Sequence, residues 1–330
     1  MRNIARRLFQ LVLVVVLSTL FAFSLLRLFP GDISDAVLPL GTKQQKQQFR
    51  EDNGLDKPFF AQYATWLGNL VQGDLGKDYQ SNTEVSKKLE AALPVSLQLM
   101  LYAQILALLV AIPLGVLTAY RANTKTDRSL NAGAFALLAL PSFVLALALS
   151  YFVGVKWQPD IPWLGQIPVT GYEPGWLEPL FGQPSGDIGK HFGTLLLPAI
   201  ALAAGLIAVY MRLLRSDMIA TLQENYITMA RAKGLSDRRI LWRHALRPSS
   251  LTLLTVAGLN FGTLIGGAVA VEVIFQIPGM GTLIYQAINA RQFVELQSYI
   301  AIIAIGYVLL NFVIDSLYVV IDPRIRRAHA

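Results

Sequence analysis

Six uncharged apolar runs dominate this chain: Leu8–Leu26, Ala91–Tyr120, Leu130–Val155, Phe192–Met211, Pro248–Val271 and Leu296–Ile314. A membrane-crossing helix needs about 20 predominantly apolar residues, and each run reaches or approaches that length. Inside lipid no water satisfies a backbone N–H or C=O, so each run must be helical. The second and third are longer than a crossing needs. Tilting, bending at Pro113 and Pro141, or extension past the bilayer would absorb the excess. The expected fold class is an all-α polytopic membrane protein with six transmembrane helices. Only 15% of the 330 residues are charged, against about 25% in an ordinary soluble domain.

Six crossings put both termini on one side, and positive charge selects it. Arg2, Arg6 and Arg7 precede the first run, and Arg121, Lys125 and Arg128 separate the second from the third. Arg212, Arg215, Arg231, Lys233, Arg238, Arg239, Arg243 and Arg247 lie between the fourth and fifth, and Arg324, Arg326 and Arg327 follow the sixth. The opposite loops are balanced or acidic, with Asp160, Glu173, Glu178 and Asp187 against Lys190. Both termini are therefore expected in the cytoplasm. The net charge of +7 needs no nucleic-acid partner, because this asymmetry accounts for it. The first run lacks a small-x-small cleavage site and ends at Arg27-Leu28-Phe29-Pro30, which reads as a retained helix rather than a signal peptide. With no cysteine, disulfides and thiolate metal sites are excluded.

The chain reads as one transmembrane domain over 1–330, with polar inserts. A large outer loop spans 31–90 and holds a short amphipathic stretch, Phe59–Leu70, in which Phe59, Phe60, Tyr63 and Trp66 recur near helical spacing. Such a helix either lies at the membrane interface, where Trp and Tyr gather, or forms a docking platform. A second outer loop, 157–191, is rich in Pro, Gly and Trp and is expected to hold no long helix. No zinc-protease or serine-hydrolase motif is present, and His191, His244 and His329 are scattered over loops and tail. Gly182–Lys190 departs from a phosphate-binding loop by carrying Pro184 where the first glycine belongs. The apolar runs carry almost no ionisable groups beyond Glu272 and Asp315 near their ends, whereas ion-driven carriers keep such groups at mid-membrane. The chain is expected not to be an enzyme, to hold no metal or cofactor, and to draw on an external energy source.

The 212–247 insert is the expected cytoplasmic partner site. Tyr226–Ala232 should continue a helix, and Gly234 permits the positive φ of a sharp reversal. Ser236 can cap the next helix and Asp237 complements its dipole. Ile240, Leu241, Ala245 and Leu246 give that helix an apolar face, Arg243 and Arg247 suit its C-terminal end, and Pro248 should stop it. An ordinary basic loop on anionic lipid would explain the charge but neither the hinge nor the apolar stripe.

The stretch Ala230-Arg231-Ala232-Lys233-Gly234-Leu235, followed by Arg243-His244-Ala245-Leu246-Arg247, resembles the EAA motif of ABC importer permeases of the peptide/nickel-type family. Met229-Ala230 stands where the motif's name would place Glu-Ala. The resemblance extends over nearly the whole chain. It includes Gly54-Leu55-Asp56-Lys57-Pro58, Gly73-Asp74-Leu75-Gly76, Ile112-Pro113-Leu114-Gly115, Pro141-Ser142-Phe143, Ile277-Pro278-Gly279-Met280-Gly281 and Asp322-Pro323-Arg324. The long first outer loop is similar to the B-type subunit of dipeptide and oligopeptide permeases.

This resemblance implies a type I importer permease in a bacterial inner membrane, paired with a second homologous permease. Two ATP-binding subunits would bind ATP and Mg below, and an extracytoplasmic substrate-binding protein would dock above. ATPase coupling would run through Ala230, Arg231, Ala232, Lys233, Gly234, Arg239, Ile240 and Leu241. Among these, Ile240 and Leu241 would form an apolar plug, and Arg231, Lys233 and Arg239 rim contacts. Peptides are the expected cargo; nickel chelates, haem, opines, sugars and antimicrobial peptides belong to the same class of machine, and an ion-coupled carrier is the rival class. Gly258, Gly262 and Gly266 form overlapping G-x-x-x-G patterns expected to pack helices, with a pore-lining strip as the alternative. Asn311 and Asp315, one turn apart, are expected to hydrogen-bond between helices.

Overall fold

The computed structural model describes residues 2–26, 33–78, 83–157, 161 and 167–321, with the side chains of 2–8, 25, 26, 33, 36, 293 and 315–321 outside the description. The side chains of Arg2, Arg6, Arg7 and Asp315, and the Asp322-Pro323-Arg324 stretch, therefore lie outside the description. Among the described residues thirteen α-helices follow one another. They are α1 (Arg2–Leu26), α2 (Ile33–Val37), α3 (Lys43–Asp52), α4 (Phe59–Val71), α5 (Val85–Tyr120), α6 (Lys125–Ala139) and α7 (Ser142–Tyr151). Then come α8 (Ile188–Leu222), α9 (Asn225–Ala232), α10 (Asp237–Arg239), α11 (Leu246–Phe275), α12 (Met280–Asn289) and α13 (Phe293–Ile321). The described β pairing is a single bridge between Lys77 and Glu84.

Four described helices are long and apolar enough to cross a membrane: Val85–Tyr120, Ile188–Leu222, Asp237–Phe275 and Val294–Ile314. A fifth crossing follows if α6 and the helix after it count as one broken span, and Phe9–Ser24 of α1 is a shorter apolar segment. The prolines act differently along the chain. Helix α5 continues past Pro94 and Pro113, and α8 past Pro198. At Pro141 the run breaks and bends by 97°. The residue before a proline is disfavoured in the α region, and Leu140 is extended, with φ −91° and ψ 121°. Pro248 does not stop its helix as the sequence suggests. It is the third residue of α11, where a missing N–H costs least. The π-wound turn Ile240–Ala245 precedes α11 and shifts the hydrogen-bond register. Arg243 and Arg247 thus mark no helix end.

Two compact units divide the chain. The first comprises Met1–Pro94 and Pro278–Val313. Leu75, Val85, Leu89 and Ala92 pack there with Met280, Ala287, Leu296 and Tyr299. Lys88 bridges two buried carboxylates, Asp78 at 2.9 Å and Glu295. Ser298 Oγ donates to Leu75 O at 2.9 Å. Helix α4 lays its aromatic side on α1: Tyr63 Oη donates to Val16 O at 3.0 Å, and Phe23 meets the rings of Phe59, Tyr63 and Trp66. Asn311 Oδ1 is buried without a hydrogen-bond partner among the described residues.

The second unit comprises Val95–Ile277 and Ile314–Ala330, and α8 is its axis, packed against α6, α7 and α11. Small residues let helices approach closely, and Ala199, Ala201, Ala203, Ala204 and Ala208 are all buried along α8. Gln104 Nε2 on α5 donates to Tyr210 Oη at 3.1 Å on α8 and lies 3.3 Å from Ala257 O on α11. A Cβ placed on Gly258 would come within 2.9 Å of Ile314 Cγ2. Gly262 is buried, whereas a Cβ on Gly266 would meet nothing within 4 Å.

One ion pair fixes the start of α6 to α8. Arg215 Nε and Nη2 reach the two oxygens of Asp127 at 2.7 Å each, a bidentate fork. Asn123 N donates to Asp127 Oδ2 at 2.8 Å, and Asn131 Nδ2 to Oδ1 at 2.7 Å. The Asp127 side chain is 4% exposed and that of Arg215 25%. Removing one partner of a buried pair costs about 3–5 kcal/mol because the other charge stays buried. For Arg215→Ala we expect the lower end, roughly 3 kcal/mol, since its guanidinium keeps some water. The double variant Asp127→Ala/Arg215→Ala should lose less than Arg215→Ala alone. Thermal unfolding of the detergent-solubilised chain measures this, and equal losses in both variants would count against the buried-charge account.

Candidate functional site

The segment between α8 and α11 folds as a sharp helical hairpin. Helix α8 ends at Leu222, and α9 begins separately at Asn225 after a break at Gln223 and Glu224. Helix α9 closes with paired reverse bonds: Gly234 N donates to Arg231 O at 2.9 Å and Leu235 N to Ala230 O at 3.2 Å. This Schellman pattern needs a residue in the left-handed region, and Gly234 has φ +79°. Leu235 packs against Ile227, Ala230 and Ile240, the apolar contact that accompanies such caps. Ser236 occupies the next N-cap with an extended backbone, but its side chain makes no capping bond. Tyr120 Oη, at the end of α5, donates to Asp237 Oδ2 at 3.2 Å.

Burial sorts the eight expected coupling residues into two groups. Ala230, Ile240 and Leu241 are 7%, 1% and 8% exposed. Ile240 joins the small core with Ile227 and Ala230, and Leu241 joins the main core around α8. Both side chains are thus buried within the chain, on the π-wound turn Ile240–Ala245. Arg231, Ala232, Lys233, Gly234 and Arg239 are exposed. The outward apolar surface belongs to residues assigned no coupling role from the sequence: Tyr226, Met229 and Trp242. Trp242 lines a shallow open depression with Ser236, Arg238 and Arg239. Large flexible or aromatic side chains among arginines form the composition typical of a protein-binding patch.

A second polar constellation was not legible in the sequence. His191, expected in an outer loop, lies in the first turn of α8 and is fully buried. Its Nδ1 lies 2.7 Å from Glu173 O, so Nδ1 carries the proton. Trp176 Nε1 donates to Tyr102 Oη at 2.8 Å, and Tyr102 Oη in turn donates to His191 Nε2 at 3.0 Å. Buried Glu178 accepts from Gln98 Nε2 at 2.8 Å, from Gly175 N at 2.9 Å and from Tyr172 Oη. Burial, then the Glu178 carboxylate, pushes the Tyr172 phenol above its ordinary range. This network fastens the insert after α7 onto α5 and α8. No spacing in the sequence pairs residue 98 with residue 178; the Asp187 N-cap four residues before His191 is the nearest cue. Among the described residues no cluster of His, Cys, Asp or Glu could hold a metal ion.

Residues 111–327 match the family described as the inner membrane component of binding-protein-dependent transport systems. Residues 1–100 match the N-terminal family of the same systems. The chain belongs to this permease family. It is 36% identical to the oligopeptide transport system permease protein AppB of Bacillus subtilis (strain 168), over 98% of both chains. It is 35% identical to the di/tripeptide transport system permease protein DppB of Pseudomonas aeruginosa (strain UCBPP-PA14), again over 98% of both chains. The dipeptide transport system permease protein DppB of Alkalihalophilus pseudofirmus is 31% identical over 97% of this chain and 98% of its own. The permease is a multi-pass membrane component of a transport system and not an enzyme; systems of this family include ATPase and substrate-binding partners.

The inward and outward faces of the hairpin should separate in experiment. Ile240→Ala empties a fully buried site, a change that costs about 2–5 kcal/mol in protein cores. It should speed tryptic cleavage after Arg231 and Lys233 in the folded permease. Trp242→Ala removes an exposed ring, and such surface changes stay within about 0.5 kcal/mol, so cleavage should keep its normal rate. Limited proteolysis of both variants decides the matter; faster cleavage in Trp242→Ala alone would reverse the assignment.

Proposed function

We propose that this permease forms the membrane pathway of an ATP-driven importer of di- or oligopeptides. The observation that carries this is similarity to peptide permeases over 98% of the chain, with the helical hairpin of residues 225–245 intact. A second homologous permease would complete the pathway. Two ATPase subunits would bind ATP and Mg, and an extracytoplasmic binding protein would deliver the peptide. Both termini and the 212–247 segment would face the cytoplasm of a bacterial cell, a reading that the charge asymmetry supports, and α1 with the broken span would complete six crossings.

Coupling would divide between the two faces of the hairpin. Ala230, Ile240 and Leu241 would hold it rigid against α8, and the Gly234 cap would set the angle between its arms. Arg231, Ala232, Lys233 and Arg239, with Tyr226, Met229 and Trp242, would meet the ATPase. A rigid docked element moves with the body that grips it, so closure of the ATPases would be passed to α11, which continues directly from the hairpin. Gly258 would pack within the chain against Ile314, while the open face at Gly266 would be free for the second permease. Asn311 and Asp315 remain proposed as polar contacts between helices.

Reconstituted transporter containing all subunits should accumulate labelled di- or tripeptide only with ATP and binding protein, and the purified permease alone should hydrolyse no ATP. Uptake that persists without ATP would remove the importer reading. Gly234→Val has room for its side chain, since nothing lies within 4 Å of the added Cβ. A branched residue at positive φ nevertheless stores about 1–3 kcal/mol of strain. We expect this variant to reach the membrane in normal amounts, with uptake sharply reduced and ATPase activity no longer stimulated by loaded binding protein. Normal uptake at normal abundance would dismiss the hinge role.

A further inference from the structure

Helix α4 has thirteen residues, Phe59–Val71, and none of them is charged. At about 1.5 Å per residue it measures roughly 20 Å, too short to cross a hydrocarbon layer of about 30 Å. Its aromatic side is taken up by α1. A second stripe, Phe60, Ala64, Gly68 and Val71, recurs at helical spacing and opens outward. Phe60 is 72% and Val71 81% exposed, and a Cβ on Gly68 would meet nothing within 4 Å. The polar side chains beside this stripe turn back on the main chain. Thr65 Oγ1 donates to Ala61 O at 2.9 Å, and Gln62 Nε2 donates to Leu55 O at 2.8 Å and to Lys57 O at 2.7 Å. Helix α3 in the same loop is the opposite case. It has no buried residue, and its Lys46 and Arg50 pair with Asp35 and Asp56.

The depth of α4 follows from one hydroxyl. Tyr63 Oη lies 3.0 Å from Val16 O and 3.0 Å from Thr19 Oγ1. Val16 stands at the centre of Phe9–Ser24, the apolar segment of α1. A helix that crosses the membrane places that centre near the midplane, about 15 Å from either edge of the hydrocarbon. One tyrosine side chain and one hydrogen bond together span less than this distance. The α4 main chain at Tyr63 therefore lies within the hydrocarbon rather than above it. Phe23, further toward the C-terminal end of α1, meets Phe59, Tyr63 and Trp66 at centroid distances of 5.3, 5.5 and 5.8 Å, so both flanking turns of α4 follow the same helix. Lipid accepts only backbone whose hydrogen bonds are made internally, and a helix meets that condition.

We propose that α4 is sunk in the outer leaflet of the membrane and that lipid acyl chains cover Phe60, Ala64, Gly68 and Val71. The side and depth rest on α1 crossing with its N-terminus inside, as proposed above. Helices that lie on a membrane surface keep a strongly polar or charged face toward water, and α4 has no charge to offer. A partner protein arriving from water forms hydrogen bonds across its interface, whereas the polar side chain left outward near this stripe is Asn69 in the last turn. The polar part of the loop, α3 with Asp56 and Lys57, would then sit at the water boundary, anchored through α4.

The chain contains no cysteine, so single nitroxide labels can be placed in it without background. Phe60→Cys and Ala64→Cys report on the stripe, and Gln44→Cys on exposed α3 is the water reference. Each is studied in the complete transporter, its partner subunits stripped of cysteine, in phosphatidylethanolamine/phosphatidylglycerol vesicles. Oxygen concentrates in hydrocarbon and a nickel chelate stays in water. Both α4 labels should be relaxed more by oxygen than by nickel, as is a lipid labelled near its ester, and the α3 label should show the reverse ratio. Nickel dominance at either α4 position would place the helix in water and overturn the proposal. Protection from both reagents, before or after binding protein is added, would mean that a protein covers the stripe and would overturn it equally. In sealed right-side-out vesicles Gln44→Cys should react with a membrane-impermeant maleimide. Silence there would refute the orientation and with it the outer leaflet, while the oxygen-to-nickel ratio at Phe60 would still decide whether α4 is sunk in lipid.

Discussion

The closely packed face of α8 is the contact on which the second unit depends. Alanines along that helix reduce side-chain bulk until α7 and α11 can press against it, and dispersion then operates over many atoms. Between water-excluded helices there is little hydrophobic gain to be had, because lipid tails are as apolar as leucine. Shape has to do what the hydrophobic effect does in a soluble core. The glycines follow the same logic: Gly115 faces Leu214 and Gly267 faces Leu202, so each admits a larger neighbour from α8.

Polar groups then mark the ends of this packed region. Toward the start of α8, His191, Tyr102, Trp176, Gln98 and Glu178 satisfy one another and fasten the insert. Toward its far end, Asp127 and Arg215 hold α6 in place. Buried charge of this kind is a costly way to gain stability, yet a bidentate fork fixes orientation in a way that alkyl packing cannot. The hairpin of residues 225–245 is built just beyond that fork. Its own small core and its bond from Tyr120 join it to α8 and α5, and its helix runs on into α11 without interruption. A force applied to the exposed tryptophan and arginines would reach the membrane through continuous helix rather than through slack chain.

Proline shows why local rules reach only part of the way. Pro113, Pro141 and Pro198 interrupt apolar stretches and Pro248 opens one, yet a sharp bend occurs at Pro141, where the preceding residue turns extended. At Pro248 a π-wound turn has already altered the bonding register, so the missing N–H falls in a first turn. Ile240 and Leu241, carried on that same turn, are buried within the chain. A stripe of apolar residues says that a face is buried; it does not say whether the chain itself or a partner buries it.

The sequence by itself determined the helical membrane class, the family, the reversal at Gly234, the amphipathic helix begun at Phe59 and the absence of thiol chemistry. Each depends on a property that acts locally: hydrocarbon length, the positive φ that glycine permits, or residue type. Tertiary structure alone decided which face of the hairpin points outward, that His191 is a buried partner of Tyr102 and Trp176, and that Asp127 meets Arg215. These depend on groups far apart in the chain meeting within a few ångströms, and no local pattern encodes a distance between separate helices.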